Sequence, residues 1–239
     1  GVEHAAPVTE APDDQRPANQ HIFPAPAPPP PADAIPPTTP PGRNTTNLAE
    51  SPDAPTRVVG PHWFNPPMLM ELVEVIMTEH TPDPVADTAE AMVDSFDRTP
   101  IRCRVDVPSF VVNRLMRPYG EEPAWMVNRG EYTIREIDSA MKYAAGFPMG
   151  PFELADFTGG IQLRVEGEQD HLEDDRPLAY DTEVCPILHQ LYDKGRYGRK
   201  ADAGYYEYSD RDEPDIPVDA GQGFDTLLVW APIVNEAAK

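Results

Sequence analysis

Basic residues are scarce in this sequence. Lysine and arginine together number 19 against 41 aspartates and glutamates, which gives a formal net charge of -22 at pH 7. A protein that binds nucleic acid by neutralising phosphates needs charge of the opposite sign. An anionic membrane surface would also repel such a chain. We therefore expect neither a nucleic-acid partner nor a membrane partner.

Lysine is the rarer of the two cations, with four residues among the 19. Surfaces rich in acid and poor in lysine suit a protein that must stay hydrated at high salt, where repulsion between like charges is screened. The composition therefore favours a halophilic cytoplasm. An acidic protein from an ordinary cytoplasm is the alternative.

Cysteine is rare, and long apolar runs are missing. Cys103 and Cys185 lie far apart without C-x-x-C spacing, which favours a reducing compartment over a disulfide framework or a metal site. No apolar run reaches the roughly 18 residues of a membrane-spanning helix. The first residues lack the basic-then-apolar layout of a signal peptide. We expect a cytoplasmic protein without a bound metal.

Proline is concentrated near the N-terminus, where residues 1–56 hold about half of the 31 prolines. Proline fixes φ and lacks the N–H that helices and central strands use. We expect this segment to be disordered or polyproline II-like, or else the degenerate remnant of a domain. A proline-rich tail that binds SH3-like partners is a further alternative.

The sequence becomes typical of a globular protein after residue 56. The apolar run 57–60 predicts a buried strand whose end presents His62, and the β-branched run 72–76 predicts a strand that carries Glu74. The remaining patterns here predict a helix over residues 81–96 and an edge strand over residues 101–105.

Helical spacing of apolar residues begins near Pro108. Pro118 and Pro123 are expected to kink or split the first helix of this region. Thr133 and Glu136 have the spacing of a capping box and predict the start of the next helix.

Four features complete the prediction of local structure. These are a helix that begins near Pro151, a short helix over residues 185–191, an acidic loop or poorly packed helix over residues 164–183, and a second acidic, proline-containing linker over residues 209–223. Residues 229–238 also repeat residues 115–124 weakly, sharing a proline, a glutamate and an alanine at matching offsets.

Five motifs in order resemble the L-3-hydroxyacyl-CoA dehydrogenase family, and they span about residues 57–208. They are Gly60-Pro-His-Trp-Phe-Asn-Pro66, Met70-Glu-Leu-Val-Glu-Val-Ile76, Pro108-Ser-Phe-Val-Val-Asn-Arg114, Phe147-Pro-Met-Gly-Pro-Phe-Glu-Leu-Ala-Asp156 and Gly198-Arg-Lys-Ala-Asp-Ala-Gly-Tyr-Tyr206. In the third motif Ser109 replaces the glycine of the family's P-G-F-V-V-N-R.

The resemblance implies an α/β Rossmann dinucleotide-binding domain followed by an all-α helical domain, mostly helical overall. Residues 1–56 would be the degenerate or disordered remnant of the NAD domain, and residues 57–106 its end with the catalytic histidine. Residues 107–208 would bind acyl-CoA and form a homodimer. Residues 209–239 would be an acidic linker and the start of a second helical repeat, so the chain looks truncated at both ends.

The family's reaction is the NAD-dependent oxidation of an L-3-hydroxyacyl-CoA to the 3-oxoacyl-CoA, in fatty-acid β-oxidation or hydroxybutyryl-CoA metabolism. By the motif match, His62 would be the general base, and Glu74 would orient it and stabilise its charge. Asn113 would hold the substrate oxygen. Asn65 and Lys200 would contact the cofactor, NAD.

One expected motif is missing, because no G-x-G-x-x-G occurs anywhere in the sequence. In dinucleotide-binding domains that loop carries the cofactor pyrophosphate on backbone N–H groups. Two hypotheses follow from the sequence. The chain is a 3-hydroxyacyl-CoA dehydrogenase or a fragment of one, or it is a non-catalytic helical module that dimerises or binds acyl-CoA and carries a vestigial active site.

Overall fold

The computed structural model describes residues 59–64, 67–107, 109–168, 183–208 and 213–238. It divides into two compact units, the first ending at Asn113 and the second beginning at Arg114. The predictions for residues 1–56 lie outside the described residues, as does most of the acidic loop predicted over residues 164–183.

The first unit contains, in its described residues, a three-stranded mixed sheet in the order β1-β2-β3. Strand β1 (Val59–Trp63) is antiparallel to β2 (Leu72–Met77), and β2 is parallel to β3 (Thr99–Cys103). Helix α1 (Asp83–Asp94) lies between β2 and β3 in the chain. It supplies the crossover that a parallel pair of strands needs.

The sheet forms because β2 can be buried along almost its whole length. Val73 and Val75 pack with Ala89 and Val93 of α1 in one apolar cluster. Burying a valine side chain contributes about 1.5–3 kcal/mol, so this layer stabilises the first unit. Glu74 is the one charged residue of β2, and it is fully buried.

A cluster of ion pairs fastens the outer face of α1 to β3. Arg102 donates from Nε to Glu90 at 2.7 Å and from Nη2 to Asp87 at 2.5 Å. Asp83, Asp87 and Glu90 follow the spacing of one helical face. These acids therefore have a specific cation partner and do not only hydrate the surface.

Two strands begin or end at other residues than predicted, because pairing with β2 determines their bounds. The first strand was expected to end before His62, but the ladder with β2 continues through His62 and Trp63. The predicted edge strand lies at one end of the sheet, but begins and ends two residues earlier, because it pairs with β2 from Leu72 to Ile76.

Helices make up most of the described residues from Val112 onward. They are α2 (Val112–Asn128), α3 (Ile134–Ser139) with its π-helical continuation Ala140–Ala144, α4 (Pro151–Thr158), α5 (Gly160–Glu166), α6 (Pro186–Asp193), the 3₁₀ turn Arg199–Ala201 and α7 (Leu227–Ala237). Tyr119, Ile137, Met141, Phe152 and Val229 belong to the single apolar core of the second unit. None of the helices in the described ranges is long and apolar enough to span a membrane.

Two local predictions for this region differ in outcome. The capping box is confirmed, because Thr133 and Glu136 each bond the other's backbone N–H, at 3.3 and 2.7 Å. Pro118 and Pro123 were predicted to kink or split the first helix, and they do not split it, because α2 continues through both residues. Both rings are buried, and packing offsets the roughly 3 kcal/mol that an interior proline costs.

Asp138 of α3 holds the start of α4. Its carboxylate accepts from the backbone N–H of Phe152 at 2.8 Å and of Glu153 at 2.9 Å, and from the hydroxyl of Tyr206 at 2.7 Å. Burial raises the pKa of Asp138 to about 7, and the three hydrogen bonds act in the opposite direction. The carboxylate therefore replaces water at the helix N-terminus.

Asp156 of α4 holds the glycine-containing loop in the same manner. It accepts from the backbone N–H of Tyr205 and of Tyr206, each at 2.9 Å, and from the hydroxyl of Tyr208 at 3.0 Å. The fourth and fifth motifs of the sequence are thus joined by buried hydrogen bonds, in agreement with a structural role for the fourth.

The linker predicted over residues 209–223 packs against α3 where the structure describes it. Ser139 Oγ donates to the carbonyls of Pro217 at 2.8 Å and Val218 at 3.0 Å. Ile216 is only 7% exposed and belongs to the core of the second unit. Most of the other described residues of this segment are exposed, and Ile216 anchors the segment to the core of the second unit.

The close approach of Gly204 to Asp156 generates a stability prediction. A Cβ added at Gly204 would collide with the Asp156 carboxylate. Gly204→Ala should lower the free energy of unfolding by about 2–3 kcal/mol, because overpacking strains the site. Chemical denaturation followed by circular dichroism measures this change.

Gly120→Ala is the matched control, because Gly120 lies inside α2 and an added Cβ would meet nothing within 4 Å. Alanine there should raise the free energy of unfolding by up to about 1 kcal/mol. Equal losses in the two variants would contradict the packing described for Gly204.

Candidate active site

His62 and Glu74 face each other directly in the antiparallel ladder of β1 and β2. Directly opposed residues have Cβ atoms about 4.5–5.5 Å apart, so side chains of this length meet. His62 Nδ1 lies 2.7 Å from Glu74 Oε2. The imidazole is 9% exposed and the carboxylate is fully buried. The structure therefore brings together the two residues predicted as base and orienting acid.

The second oxygen of Glu74 is held by the backbone. Oε1 accepts from the N–H of Val111 at 2.9 Å and of Val112 at 2.8 Å, where helix α2 begins. A buried carboxylate is stable only when such donors replace its lost hydration. N–H groups at a helix start also carry partial positive charge. Glu74 is therefore fixed from both sides.

Cys103 lies beside the same carboxylate but is not a nucleophile. Its Sγ is 3.9 Å from Glu74 Oε1, within the range of a weak S–H donor. Burial, together with the charge of Glu74, raises the pKa of the Cys103 thiol to about 12. The thiol is thus protonated at neutral pH and adds a third, weak donor to Oε1 of Glu74.

Two aromatic rings pack against the imidazole of His62. The centroid of Phe110 lies 4.9 Å from that of the imidazole at an interplanar angle of 53°, and the centroid of Phe64 lies 4.9 Å away at 67°. Phe110 is 2% exposed. The imidazole therefore sits in a largely apolar surrounding with one buried anion.

A strained turn places Phe110. Ser109 and Phe110 have φ values of +64° and +55°, the left-handed region that disfavours residues with a Cβ. The N–H of Phe110 donates to the carbonyl of Val107 at 2.8 Å and closes the turn. Ser109 stands where the resembling family has glycine, which adopts such φ values readily.

The described contacts do not join Asn113 to this pair, and they do not test the predicted roles of Asn65 and Lys200. Asn113 is the second residue of α2 and its side chain is exposed, and within the described residues no hydrogen bond joins it to His62 or Glu74. Lys200 is exposed on the 3₁₀ turn of the second unit. Asn65 lies outside the described residues. The roles predicted for these three residues stay predictions.

Sequence reasoning missed Phe64 and Phe110 as neighbours of the histidine, and Cys103 as a neighbour of Glu74. The substitution at Ser109 inside a glycine-containing motif was the available signal, because it marks a backbone that needs positive φ. No periodicity points to Cys103, whose position depends on the parallel pairing of Ile76 with β3.

The arrangement can hold and move one proton. A carboxylate that accepts from Nδ1 fixes the imidazole in the tautomer whose other nitrogen, Nε2, can accept a proton. It also stabilises the cation that then forms. An open apolar groove of the first unit, near Trp63 and Phe96, is not lined by His62.

Solved dehydrogenase structures share this fold. A 3-hydroxybutyryl-CoA dehydrogenase from Escherichia coli matches with a TM-score of 0.77 at 28% identity, covering 87% of this chain and 44% of that one. An (S)-3-hydroxybutyryl-CoA dehydrogenase from Ralstonia eutropha matches with a TM-score of 0.75 at 27% identity, covering 85% and 70%. The predicted class, a Rossmann domain followed by a helical domain, is confirmed.

Curated relatives and family models identify the family. A mitochondrial hydroxyacyl-coenzyme A dehydrogenase from Sus scrofa is 37% identical over 169 residues, 68% of this chain and 51% of that protein. The models of the NAD binding domain and of the C-terminal domain of 3-hydroxyacyl-CoA dehydrogenase match residues 2–107 and 110–208. This chain belongs to the 3-hydroxyacyl-CoA dehydrogenase family. It spans about half the length of the curated relatives it matches.

The positive φ at Ser109 predicts that glycine is the better residue at this position. Ser109→Gly should raise the free energy of unfolding by about 1 kcal/mol, because it relieves the left-handed strain. Ser95→Gly is the control, because Ser95 has an ordinary φ of −64°. There glycine should be destabilising by about 0.5–1 kcal/mol. Thermal and urea unfolding of both variants would reveal the opposite signs, and a loss at both positions would contradict the strain.

The raised pKa of Cys103 predicts an unreactive thiol. A group with a pKa of about 12 is thiolate in only about one molecule in ten thousand at pH 8, and the thiolate is the reactive form. Burial also raises the pKa of Cys185. Neither thiol should be alkylated in the folded protein, and both should be alkylated in urea. Rapid native labelling of Cys103, located by mass spectrometry, would contradict its described burial.

Proposed function

We propose that the protein oxidises L-3-hydroxyacyl-CoA to 3-oxoacyl-CoA with NAD, and that His62 is the general base. The buried hydrogen bond of 2.7 Å between His62 and Glu74 carries this proposal. It is supported by membership of the family and by relatives named for this activity, among them a 3-hydroxybutyryl-CoA dehydrogenase of Bradyrhizobium diazoefficiens at 36% identity.

His62 and Glu74 would divide the proton chemistry between them. Glu74 holds the Nδ1 proton, so Nε2 would accept the proton of the substrate's 3-hydroxyl. The imidazolium that forms would be stabilised by a charge-assisted hydrogen bond, a contribution of about 1.5–3 kcal/mol. Because Val111 and Val112 hold the other carboxylate oxygen, Glu74 would not have to move during the transfer.

Asn113 is proposed to hold the substrate oxygen. It directly follows Val112, whose N–H is bound to Glu74, so the start of α2 is anchored to the same carboxylate as the base. Its exposed side chain can meet a ligand. An amide donor near the oxygen would stabilise the charge that develops there as the proton leaves.

NAD enters the proposal from the match of the family's NAD binding domain to residues 2–107. When bound it would take the hydride that leaves C3. The described residues themselves form no dinucleotide cradle, because Lys200 is exposed in the second unit and Asn65 lies outside them. Both residues are kept as proposed cofactor contacts.

The assembly and the setting are proposals of the same kind. A homodimer formed through the helical domain, a cytoplasmic location, a high-salt environment and a place in β-oxidation or hydroxybutyryl-CoA metabolism are supported by resemblance and composition. The excess of acids over bases supports the high-salt environment, because screening by salt lets so many like charges coexist.

The second candidate is a non-catalytic module that binds acyl-CoA or dimerises. The sequence favours it in one respect, because it lacks a G-x-G-x-x-G for the cofactor pyrophosphate. Titration of NADH into the full chain in molar salt separates the two candidates. Acyl-CoA binding or dimerisation without NADH binding would establish the module and reject the dehydrogenase.

The proposed base is tested by consumption of NADH with acetoacetyl-CoA. His62→Asn should lower kcat about 10²–10⁴-fold, because in this reductive direction the protonated imidazole gives its Nε2 proton to the carbonyl oxygen, and the variant has no such proton donor. Glu74→Gln should lower kcat by about 10²-fold with little change in KM, because it removes the charge that holds the proton on Nδ1.

His189→Asn is the matched control, because the His189 side chain is 42% exposed and lies in the second unit. It should retain wild-type kcat and KM. An active wild type whose rate is insensitive to His62→Asn would reject the assignment of the base while keeping the proposed reaction.

A further inference from the structure

We propose that Phe110 is a positioning residue for His62. The strained turn at residues 109–110 places its ring against the imidazole, and this contact fixes the tilt of the imidazole and therefore the direction in which Nε2 points. The inference rests on the proposed function for its catalytic consequence, but not for the effect on the imidazole itself.

The conformation of this turn is determined by packing and not by the backbone preferences of Ser109 and Phe110. Ser109 and Phe110 both have positive φ, which residues with a Cβ rarely adopt. Such a backbone persists only where the packing around it determines the conformation. Phe110 supplies that packing, because its ring is 2% exposed and lies in one apolar cluster with Ile76 and Cys103.

Three consecutive residues, 110–112, contact the proposed catalytic pair. The ring of Phe110 contacts His62, and the N–H groups of Val111 and Val112 bind Glu74. A turn with ordinary φ values would send the ring and the two N–H groups in other directions. The strained backbone therefore sets the base and its acid together.

The hydrogen bond to Glu74 does not fix the imidazole alone. It restrains Nδ1, but a tilt of the ring moves Nε2 and also turns the Nδ1–H bond away from the carboxylate. Because a bent hydrogen bond is weaker, a tilt also reduces the preference for the Nδ1–H tautomer. The Phe110 ring, 4.9 Å away and tilted by 53°, blocks that motion because it is held in the core. Phe64 gives a second contact at 4.9 Å, but it is only partly buried.

The competing explanation is that Phe110 only fills the core. Phe110→Leu tests this, because leucine keeps an apolar side chain and removes the flat ring. Phe152→Leu is the control. Phe152 is 1% exposed, packs edge-on to Tyr205 at 4.7 Å and lies in the second unit. A role as core filler predicts the same consequences for both variants.

Two measurements other than stability distinguish a positioning role from core filling. Nitrogen-15 NMR of the His62 ring, assigned with His62→Asn, reports the neutral tautomer without any substrate. Wild type and Phe152→Leu should show the Nδ1–H tautomer, and Phe110→Leu a mixture of both. In steady-state kinetics Phe110→Leu should lower kcat about 10- to 100-fold, as for a misplaced catalytic group, with KM nearly unchanged.

The inference is overturned if Phe110→Leu loses stability as Phe152→Leu does while the tautomer and kcat stay as in wild type. An inactive wild type would reject the proposed function only. In that case the NMR result alone tests the inference. A tautomer mixture in Phe110→Leu would support the positioning role, and an unchanged Nδ1–H tautomer would reject it. Circular dichroism of each variant confirms that folded protein is compared.

Discussion

The buried carboxylate of Glu74 is the interaction on which the first unit depends. An ionised group in the middle of an apolar strand is expensive unless every lone pair finds a donor. The structure supplies His62 on one oxygen and two backbone N–H groups, with a thiol nearby, on the other. Strand β1, strand β3 and the start of α2 thus converge on one side chain, and the proposed chemistry uses the same contact that holds them.

In the second unit, Asp138 and Asp156 are also buried carboxylates held by hydrogen bonds, and neither has a histidine among its described hydrogen-bond partners. Asp138 and Asp156 are buried acids that accept backbone N–H groups and tyrosine hydroxyls. Their partners are neutral, so the carboxylates have no acceptor for a proton beside them. What distinguishes Glu74 is that one of its partners is a histidine, whose second ring nitrogen can accept a proton.

Much of the site could be predicted from the sequence, because its two central residues occupy short strands within recognisable motifs. The distance between His62 and Glu74 then follows from antiparallel register. Phe110 could not be predicted, since its placement depends on a strained backbone and on packing with Ile76. The same limit explains the continuous helix through Pro118 and the packed segment around Ile216. In both, burial outweighs a local preference, and burial is not visible in a short stretch of sequence.

The antiparallel register of β1 and β2 has a consequence for how this chain can change in length. Side chains alternate faces along a strand, so a slip of one residue would send Glu74 to the opposite side of the sheet from His62. The connection between the strands, residues 64–71, carries exposed apolar side chains at Met68 and Leu69. Residues can be gained or lost around Met68 and Leu69 with little effect on the His62–Glu74 pair, provided that the paired positions stay aligned. Insertions and deletions should therefore be tolerated between the strands, near Met68 and Leu69, but not within the strands themselves.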